Sequence, residues 1–202
     1  MPTVPGRRKG RLHAKRKLIT GPPSTPPVPN LIDLHVLMLP SDGAEPRIIQ
    51  QLKREPVNLV VCPGVPGHIG QARAMAFEQG TAPWVAWADP DDLIEPGIFQ
   101  SLLAAAHSSP QAHMVFAHEW AIDTSSGKRE RVCVPHHALI ARRNVVMERL
   151  EVIRQRPHYC EGPIHAIEPR LEVPEIGYHW LRAPKSASQT MVRRLARASK
   201  TQ

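Results

Sequence analysis

Apolar residues in the first half of the chain occur in short runs that end at turn-forming residues. Residues 34–39 form such a run before Pro40, and residues 57–62 and 84–88 repeat the pattern. Apolar runs of this length, bounded by proline, glycine or acidic residues, are typical of buried strands. The pattern therefore predicts three buried strands in this half of the chain.

Apolar residues at helical spacing separate these runs. A short helix is predicted between Pro46 and Pro56, and a second helix over residues 72–77. A third helix is predicted from Pro96 to about Ser108. Strands that alternate with helices favour a parallel sheet covered by helices, whose ligands gather at the carboxyl ends of the strands.

The alternation stops after residue 112. The pattern from there predicts strands over 113–116, 119–122 and 131–134, a hairpin turn over 123–128, a helix over 142–155 and a last strand over 176–181. The predicted fold is therefore of the α/β class, with a mixed sheet that has a parallel core and antiparallel C-terminal strands.

The charge of the chain divides it into three parts. With 202 residues it is long enough for one domain, and its formal net charge is +8. Residues 1–17 carry seven cations and residues 185–202 carry five, without an acidic residue in either, so the body between them is mildly acidic. We expect a disordered, basic and proline-rich arm over 1–30, a folded domain over 31–184 and a basic tail or helix over 185–202.

The two basic ends have two interpretations. Residues 7–17 and 185–200 could bind nucleic acid or another polyanion by displacing its counterions, or they could be solvated ends without a partner. Aromatic residues make up 4% of the chain, which disfavours binding of single-stranded nucleic acid by base stacking.

The cysteines and the apolar runs indicate a cytoplasmic protein. Three cysteines at wide spacing argue against a disulfide framework, and we expect them to be buried thiols. No apolar run approaches the roughly 18 residues of a transmembrane helix. Cys133, His136 and His137 lack the second pair of a zinc finger, so ordinary packing is expected there, as it is for Trp84 and Trp87.

An acidic loop follows the third predicted strand. Asp89, Asp91 and Asp92 place three carboxylates in four positions, where they repel one another unless a cation lies between them. Carboxylate oxygens on a tight turn suit Mg²⁺ or Mn²⁺, which takes its remaining ligands from water and phosphate oxygens. The other interpretation is an acidic turn in which Asp91 or Asp92 caps the next helix.

The acidic loop is the last part of a longer ordered set of residues. In chain order the set comprises Gly67, Gly70, the pair Ala72-Arg73 at a helix start, Gly80, the hydrophobic strand over 84–88, the loop Asp89-Pro90-Asp91-Asp92 and Pro96. This set resembles the inverting, family-two glycosyltransferases of the GT-A type. The resemblance continues more weakly over 123–128, 140–143 and 178–182, and covers roughly residues 33–188.

The resemblance implies a GT-A-like fold and a metal-dependent enzyme. Such an enzyme moves a sugar from a nucleotide-diphosphate donor to a hydroxyl acceptor, which the basic ends would allow to be polyanionic. By resemblance Arg73, Asp89 and Asp91 contact the sugar nucleotide, and Asp91 and Asp92 hold Mn²⁺ or Mg²⁺. The general base of the family is commonly an Asp preceded by Glu, and Glu161 in Cys160-Glu161-Gly162 is the nearest candidate, with Glu119 as the second.

A second function follows from the departures of this chain from the family. The family has an acidic contact to the nucleobase after its second strand, where this chain has residues 61–64 without an acid. The alternative is therefore a catalytically degenerate binding or structural protein of the GT-A fold, anchored by its basic ends to nucleic acid or to an assembly.

Overall fold

A computed structural model describes residues 30–43 and 46–182. The predicted arm, the predicted tail and its basic helix lie outside the described residues, apart from Asn30. The division of the chain into these three parts therefore stays a prediction.

Strands and helices alternate over the first half of the described chain, and strands dominate the second half. The strands are β1 Ile32–Met38, β2 Asn58–Pro63, β3 Trp84–Ala88, β4 Leu93–Ile94, β5 Met114–Asp123, β6 Arg129–Val132, β7 Leu139–Arg142 and β8 Arg170–Arg182. The helices are α1 Arg47–Leu52, α2 Ile69–Phe77, α3 Ile98–Ser108, α4 Arg143–Met147, α5 Leu150–Arg154 and α6 Gly162–His165, with a 3-10 turn at Pro40–Asp42.

All of these strands belong to one mixed sheet. Its order is β2-β1-β3-β7-β5-β8-β4, and β6 pairs with β5. β1 lies parallel to both β2 and β3, whereas β7 is antiparallel to β3 and β5. β8 runs parallel to β5 and antiparallel to β4. The predicted α/β class, with a parallel core and added antiparallel strands, is confirmed.

The alternating side chains of β1 pack against different helices. Ile32, Leu34 and Val36 are buried in the largest apolar cluster, together with residues of α1 and α3. Leu37, on the other face, packs against Ala72 and Ala76 of α2. Successive side chains of a strand point to opposite faces, so β1 forms part of a three-layered core.

Several predicted elements differ from the structure in their type or extent. The helix predicted over 142–155 is divided into α4 and α5, and the strand predicted over 131–134 is β6, which begins and ends two residues earlier. Residues 113–116 and 119–122 belong to one strand, β5, whose register with β8 shifts at residues 117–119. Residues 140–143, which resemble the start of a helix, mostly form β7, because both β3 and β5 pair with them. β8 begins at Arg170, well before the predicted residue 176.

One of the three cysteines, all of which were predicted to be buried, is exposed in the structure. Cys62 and Cys160 are buried, as predicted, but Cys133 is exposed because it follows the edge strand β6, which pairs on one side only with β5. Trp84 and Trp87 are buried in two different apolar clusters, which confirms their place in the core. Within the described chain no helix has the length and apolar character to cross a membrane.

Candidate functional site: a cavity beside the acidic loop

A cavity of about 340 Å³ opens at the carboxyl ends of β1, β2 and β3. The residues that line it follow these strands or come from the start of α2, the segment after α5 and the end of β8: Leu37, Leu39, Asp42, Gly64, Val65, Pro66, Gly67, Ile69, Asp89, Pro90, Asp91, Pro157, His158, Trp180 and Leu181. Ligands of open α/β sheets bind in this position, because the loops after parallel strands diverge there.

The lining of this cavity is apolar apart from a few polar groups. Asp42, Asp89 and Asp91 contribute carboxylates, and among the described residues no lysine or arginine lines the cavity. An anionic ligand would meet like charges here unless a cation accompanies it. The apolar walls suit a flat ring system, and the acidic part suits a metal ion.

Asp91 is the exposed member of the acidic loop. Its side chain lines the cavity, and its pKa is raised, first by partial burial and then by the neighbouring charge of Asp89. Since the next carboxylate repels its charge, Asp91 gains from a bound cation.

Asp89 faces two cations of the protein. Its Oδ1 lies 3.2 Å from Arg73 Nη2, and its Oδ2 lies 3.3 Å from His137 Nε2. Burial alone would raise the pKa of Asp89, but the hydrogen bond and charge of His137 and the charge of Arg73 hold it well below its usual range. Asp89 is therefore ionised, and it links the cavity to the interior.

Arg73 joins Asp89 to Glu161 inside the protein. Its guanidinium is 1% exposed, and Nε donates to Glu161 Oε1 at 2.8 Å. Burial alone would raise the pKa of Glu161, but the charge of Arg73 together with hydrogen bonds to the carboxylate lowers it. Arg73 Nη1 is buried without a hydrogen-bond partner among the described residues.

Glu119 lies on the other side of His137. Its Oε1 accepts the backbone N–H groups of His137 and Ala138, the latter at 2.7 Å. Its Oε2 lies 3.0 Å from His136 Nδ1 and 3.4 Å from His137 Nδ1. Burial would raise the pKa of Glu119, yet the two histidines hold it well below its usual range. Glu119 is fully buried and orients both imidazole rings.

Asp92 turns away from the cavity into the protein. It is 2% exposed, and its Oδ1 accepts the Leu181 N–H at 2.7 Å. Its Oδ2 is buried without a hydrogen-bond partner among the described residues. Burial raises the pKa of Asp92 to about 8, and the neighbouring charge of Asp89 adds to this increase.

A smaller cavity of about 130 Å³ lies beside Glu161. It is lined by three histidines, two aromatic residues, the carboxylate and a glycine: Trp87, His136, His137, Tyr159, Glu161, Gly162 and His165. His137 contacts Asp89 of the larger cavity, and Arg73 connects Asp89 with Glu161. The two cavities are therefore separated by one network of buried charges.

The structure brings most of the predicted site residues together. Arg73, Asp89 and Glu161 form one ion-pair network, whereas Asp91 lies apart from it in the large cavity. Asp92 is oriented away from Asp91, toward the interior. Glu119 contacts the network through His137.

Sequence reasoning did not single out His137, Tyr178, Trp180 or Asp42 as parts of the site. Tyr178 accepts the Asp89 N–H at 3.0 Å and stacks on His137 at 4.8 Å. Asp42 follows β1, so its position at the carboxyl end of a predicted strand could have identified it. His137 was considered only for a zinc finger, and no local signal connects it to a loop 45 residues earlier in the chain.

The comparisons with known proteins identify the fold. No protein-family model matches the chain, and no curated protein sequence matches it. Its structure is similar to that of S. aureus TarS 1–349 in complex with UDP-GlcNAc, with a TM-score of 0.59 and 10% identity over 79% of this chain and 60% of that chain. Another structure of TarS 1–349 gives a TM-score of 0.57 and 9% identity over 74% of this chain and 60% of that chain.

A longer TarS chain gives a TM-score of 0.57 and 11% identity, over 76% of this chain and 37% of that chain. The matched region thus spans about 60% of the 1–349 fragment of TarS. The chain therefore shares a mixed sheet of the GT-A-like type with TarS. At this level of identity the similarity defines the fold, and the function has to be argued from the site.

Proposed function

We propose that this protein is a metal-dependent glycosyltransferase that moves a sugar from a nucleotide-diphosphate donor to a hydroxyl acceptor by direct displacement. The observation that carries the proposal is the cavity of about 340 Å³, which combines apolar walls with carboxylates at the carboxyl ends of three parallel strands. TarS, which shares the fold, has been solved with UDP-GlcNAc and with UDP.

The cavity divides naturally between the two ends of a sugar nucleotide. Leu39, Val65 and Trp180 offer apolar surface to a nucleobase, and Asp42 offers the acceptor oxygen of a carboxylate beside them. Asp89 and Asp91 are at the acidic end, where the diphosphate would lie with its metal ion. Asp42 would thus take the place of the acidic residue that contacts the nucleobase in the family and that this chain lacks after β2.

The acidic end of the cavity fits a divalent cation. Its donors are carboxylate oxygens, as Mg²⁺ and Mn²⁺ prefer, and the buried Asp92 Oδ2 nearby has no partner among the described residues. Bound there, the ion would neutralise the diphosphate and assist its departure. Asp91, which has no ion pair among the described residues, would hold the ion toward the cavity.

Glu161 is the better placed of the two candidate bases. It lines the smaller cavity, on the other side of Asp89 from the donor, and Arg73 keeps it ionised. For direct displacement the acceptor hydroxyl would have to reach the donor past Asp89, and Glu161 would then accept its proton. Glu119 is less suited because backbone N–H groups and two histidines already occupy its oxygens.

The test is the metal-dependent hydrolysis of sugar nucleotides. Asp91→Ala is expected to abolish Mn²⁺-dependent release of UDP from UDP-GlcNAc, because the ion loses its ligand in the cavity. Glu148→Ala is the matched control, since Glu148 is exposed and distant from the lining residues. Unchanged turnover in Asp91→Ala would refute the role of Asp91.

The catalytically degenerate binding protein is the second candidate. It is favoured because both candidate bases already have partners. Glu161 is paired with Arg73, and Glu119 is paired with His136. A thermal-shift screen of sugar nucleotides with and without Mn²⁺ distinguishes the two candidates, because a ligand that binds only the folded state raises its melting temperature. A shift with turnover supports the enzyme, and a shift without turnover toward any acceptor supports the binding protein.

The acceptor and the location of the protein remain proposals from the sequence. A polyanionic acceptor, such as modified nucleic acid or an envelope glycan, would be attracted by the cations over 7–17 and 185–200. Binding of the full chain to DNA and to an anionic glycan at rising salt concentration tests this attraction. A cytoplasmic location is proposed on the cysteine content alone.

A further inference from the structure

We propose that Asp89, Asp92 and His137 form a divalent-metal site on the inner side of the acidic loop, with Glu119 as its outer support. This ligand set differs from the pair Asp91 and Asp92 that the sequence suggests. The inference rests on the proposed function only for the diphosphate that the ion would meet in the cavity, and the binding of the ion itself is independent of it.

The geometry of the three side chains fits one ion. One ligand atom from each of them lies within 4.8 Å of the other two, and Asp89 Oδ2 and His137 Nε2 are 3.3 Å apart. Ligands of an octahedral ion at about 2.1 Å are separated by about 3 Å when adjacent and about 4.2 Å when opposite. The 3.3 Å between Asp89 and His137 already fits two adjacent ligands, and the remaining separations of up to 4.8 Å require Asp92 to move closer to bind an ion between them.

An unsatisfied buried oxygen points to the same place. Asp92 is 2% exposed, and its Oδ1 is used by the Leu181 N–H, but its Oδ2 has no partner among the described residues. A buried carboxylate oxygen without a hydrogen-bond donor is costly to the folded protein. A cation between Asp92 and Asp89 removes that cost and also the repulsion between the two carboxylates.

Glu119 prepares His137 to bind a metal. Glu119 Oε2 lies 3.4 Å from His137 Nδ1, and its Oε1 is held by the backbone N–H groups of His137 and Ala138. Once an ion displaces the proton of Nε2, a histidine that donates Nδ1–H to a carboxylate presents the Nε2 lone pair to the metal, which is the usual arrangement behind metal-bound histidines. Tyr178, stacked on the ring at 4.8 Å, keeps it in this orientation.

The ligand set indicates the kind of ion and its exposed side. Two carboxylates and one imidazole suit Mn²⁺, Fe²⁺ or Zn²⁺ better than Mg²⁺ or Ca²⁺, which prefer oxygen ligands alone. Asp89 also lines the large cavity, so the open positions of the ion would face the ligand that enters it. Asp89, Asp92 and His137 would thus bind the ion from the interior of the protein, and Asp91 would contact it from the cavity.

The experiment measures Mn²⁺ binding to the metal-stripped full chain, by calorimetry and by pulsed electron paramagnetic resonance. We expect the bound ion to show modulation from one imidazole ¹⁴N in the wild-type protein. His137→Gln should remove this modulation and weaken Mn²⁺ binding at least tenfold, and Asp92→Asn should weaken binding to a similar extent. Glu119→Gln, which leaves all three ligands in place, should weaken it by about ten- to a hundredfold.

Two control variants locate the ion. His136→Gln, beside His137 but outside the ligand set, should keep both the affinity and the ¹⁴N modulation. If His136→Gln removes them instead, the ion lies in the neighbouring group of Glu119, His136 and His137, and the inference is wrong. His158→Gln tests the histidine of the cavity wall in the same way. Thermal melting without metal identifies any variant that fails to fold, and the wild-type ¹⁴N signal is independent of all variants.

Failure of this inference and failure of the proposed function give different results. If Mn²⁺ binds without ¹⁴N modulation while UDP-GlcNAc is still hydrolysed, the function stands and the inference is overturned. If ¹⁴N-coupled Mn²⁺ binds but neither UDP nor UDP-GlcNAc does, the metal site stands and the proposed function fails. Absence of Mn²⁺ binding, with and without UDP, overturns the inference.

Discussion

Both faces of the central sheet bury apolar clusters, but they differ in the polar groups that are buried beside them. On one face, Ile32, Leu34 and Val36 of β1 pack with α1 and α3 in a cluster of apolar residues. On the other face, β1 presents Asp33 and His35, and α2 contributes the buried Arg73. Both faces are excluded from water, so the difference lies in the polarity of what they bury.

This difference separates stability from function in the protein. The apolar face gains free energy from the removal of side chains from water, and it needs no particular partners. On the polar face each buried charge has to be paired, which fixes Asp89, Glu161 and His137 relative to one another. The polar face therefore carries the candidate site, and changes there should have effects that depend on charge and pH.

The largest effect is expected from the removal of the Arg73 charge. Arg73→Met leaves Glu161 largely buried without its cation and removes one of the two cations that face the partly exposed Asp89, which should lower the free energy of unfolding by about 3 kcal/mol. Chemical denaturation measures the loss. Arg154→Met is the matched control, because its ion pair with Glu78 is partly exposed and worth about 1 kcal/mol or less. Equal losses in both variants would contradict a special role for the buried network.

A further variant sharpens this test. Adding Glu161→Gln to Arg73→Met removes the carboxylate charge that has lost its cation, so part of the lost stability should return. If Glu161→Gln lowers the free energy of unfolding of the Arg73→Met variant as much as that of the wild-type protein, the two residues are not coupled.

On the apolar face, Leu102→Ala should lower the free energy of unfolding by about 2–5 kcal/mol through the cavity it leaves. The loss should be about the same from pH 5 to 8, because Leu102 is buried in an apolar cluster. Denaturation at several pH values checks both points. Leu103→Ala, at the next and only partly buried position of α3, should cost less. A pH-dependent loss in Leu102→Ala would remove the distinction between the two faces.

His35 on the polar face should make stability sensitive to acid. Burial is the main cause that lowers the pKa of His35 from 6.5 to about 4, so the unfolded chain binds its proton first as the pH falls. Stability is therefore lost as the pH falls from 6.5 toward 4, by about 3 kcal/mol at most. His35→Leu should lack this loss. Urea denaturation between pH 7.5 and 4.5 tests it, and parallel curves for the two proteins would contradict the expectation.

The smallest effect is expected where α2 approaches α5. A Cβ on Gly70 would overlap the backbone oxygens of Ile153 and Arg156, so Gly70→Ala should destabilise by about 1–3 kcal/mol although alanine favours helices. Met75→Ala, on the exposed side of the same helix, should change stability by about 0.5 kcal/mol or less. Thermal melting of both variants is sufficient, and a stabilised Gly70→Ala would show that the helices separate easily.

Some of the site could be predicted from the chain alone, and the reason is local. The strand over 84–88 and the acidic loop after it are contiguous, so one apolar run and three nearby carboxylates identify both. The contact between Arg73 and Asp89 joins residues 16 positions apart, across a single strand-helix unit. That Glu161 lies 88 residues from its partner Arg73 has no local signal, and only the resemblance drew attention to it.

The sequence by itself determined the parallel core, because each of its strands and helices has its own apolar period and its own stop signal. Only the tertiary structure decided that residues 139–142 extend as a strand between β3 and β5, since a run of four apolar and basic residues fits a helix equally well. It also decided which carboxylates face the cavity and which are paired inside. Burial and charge pairing depend on residues that are distant in the chain, and no pattern of neighbours contains them.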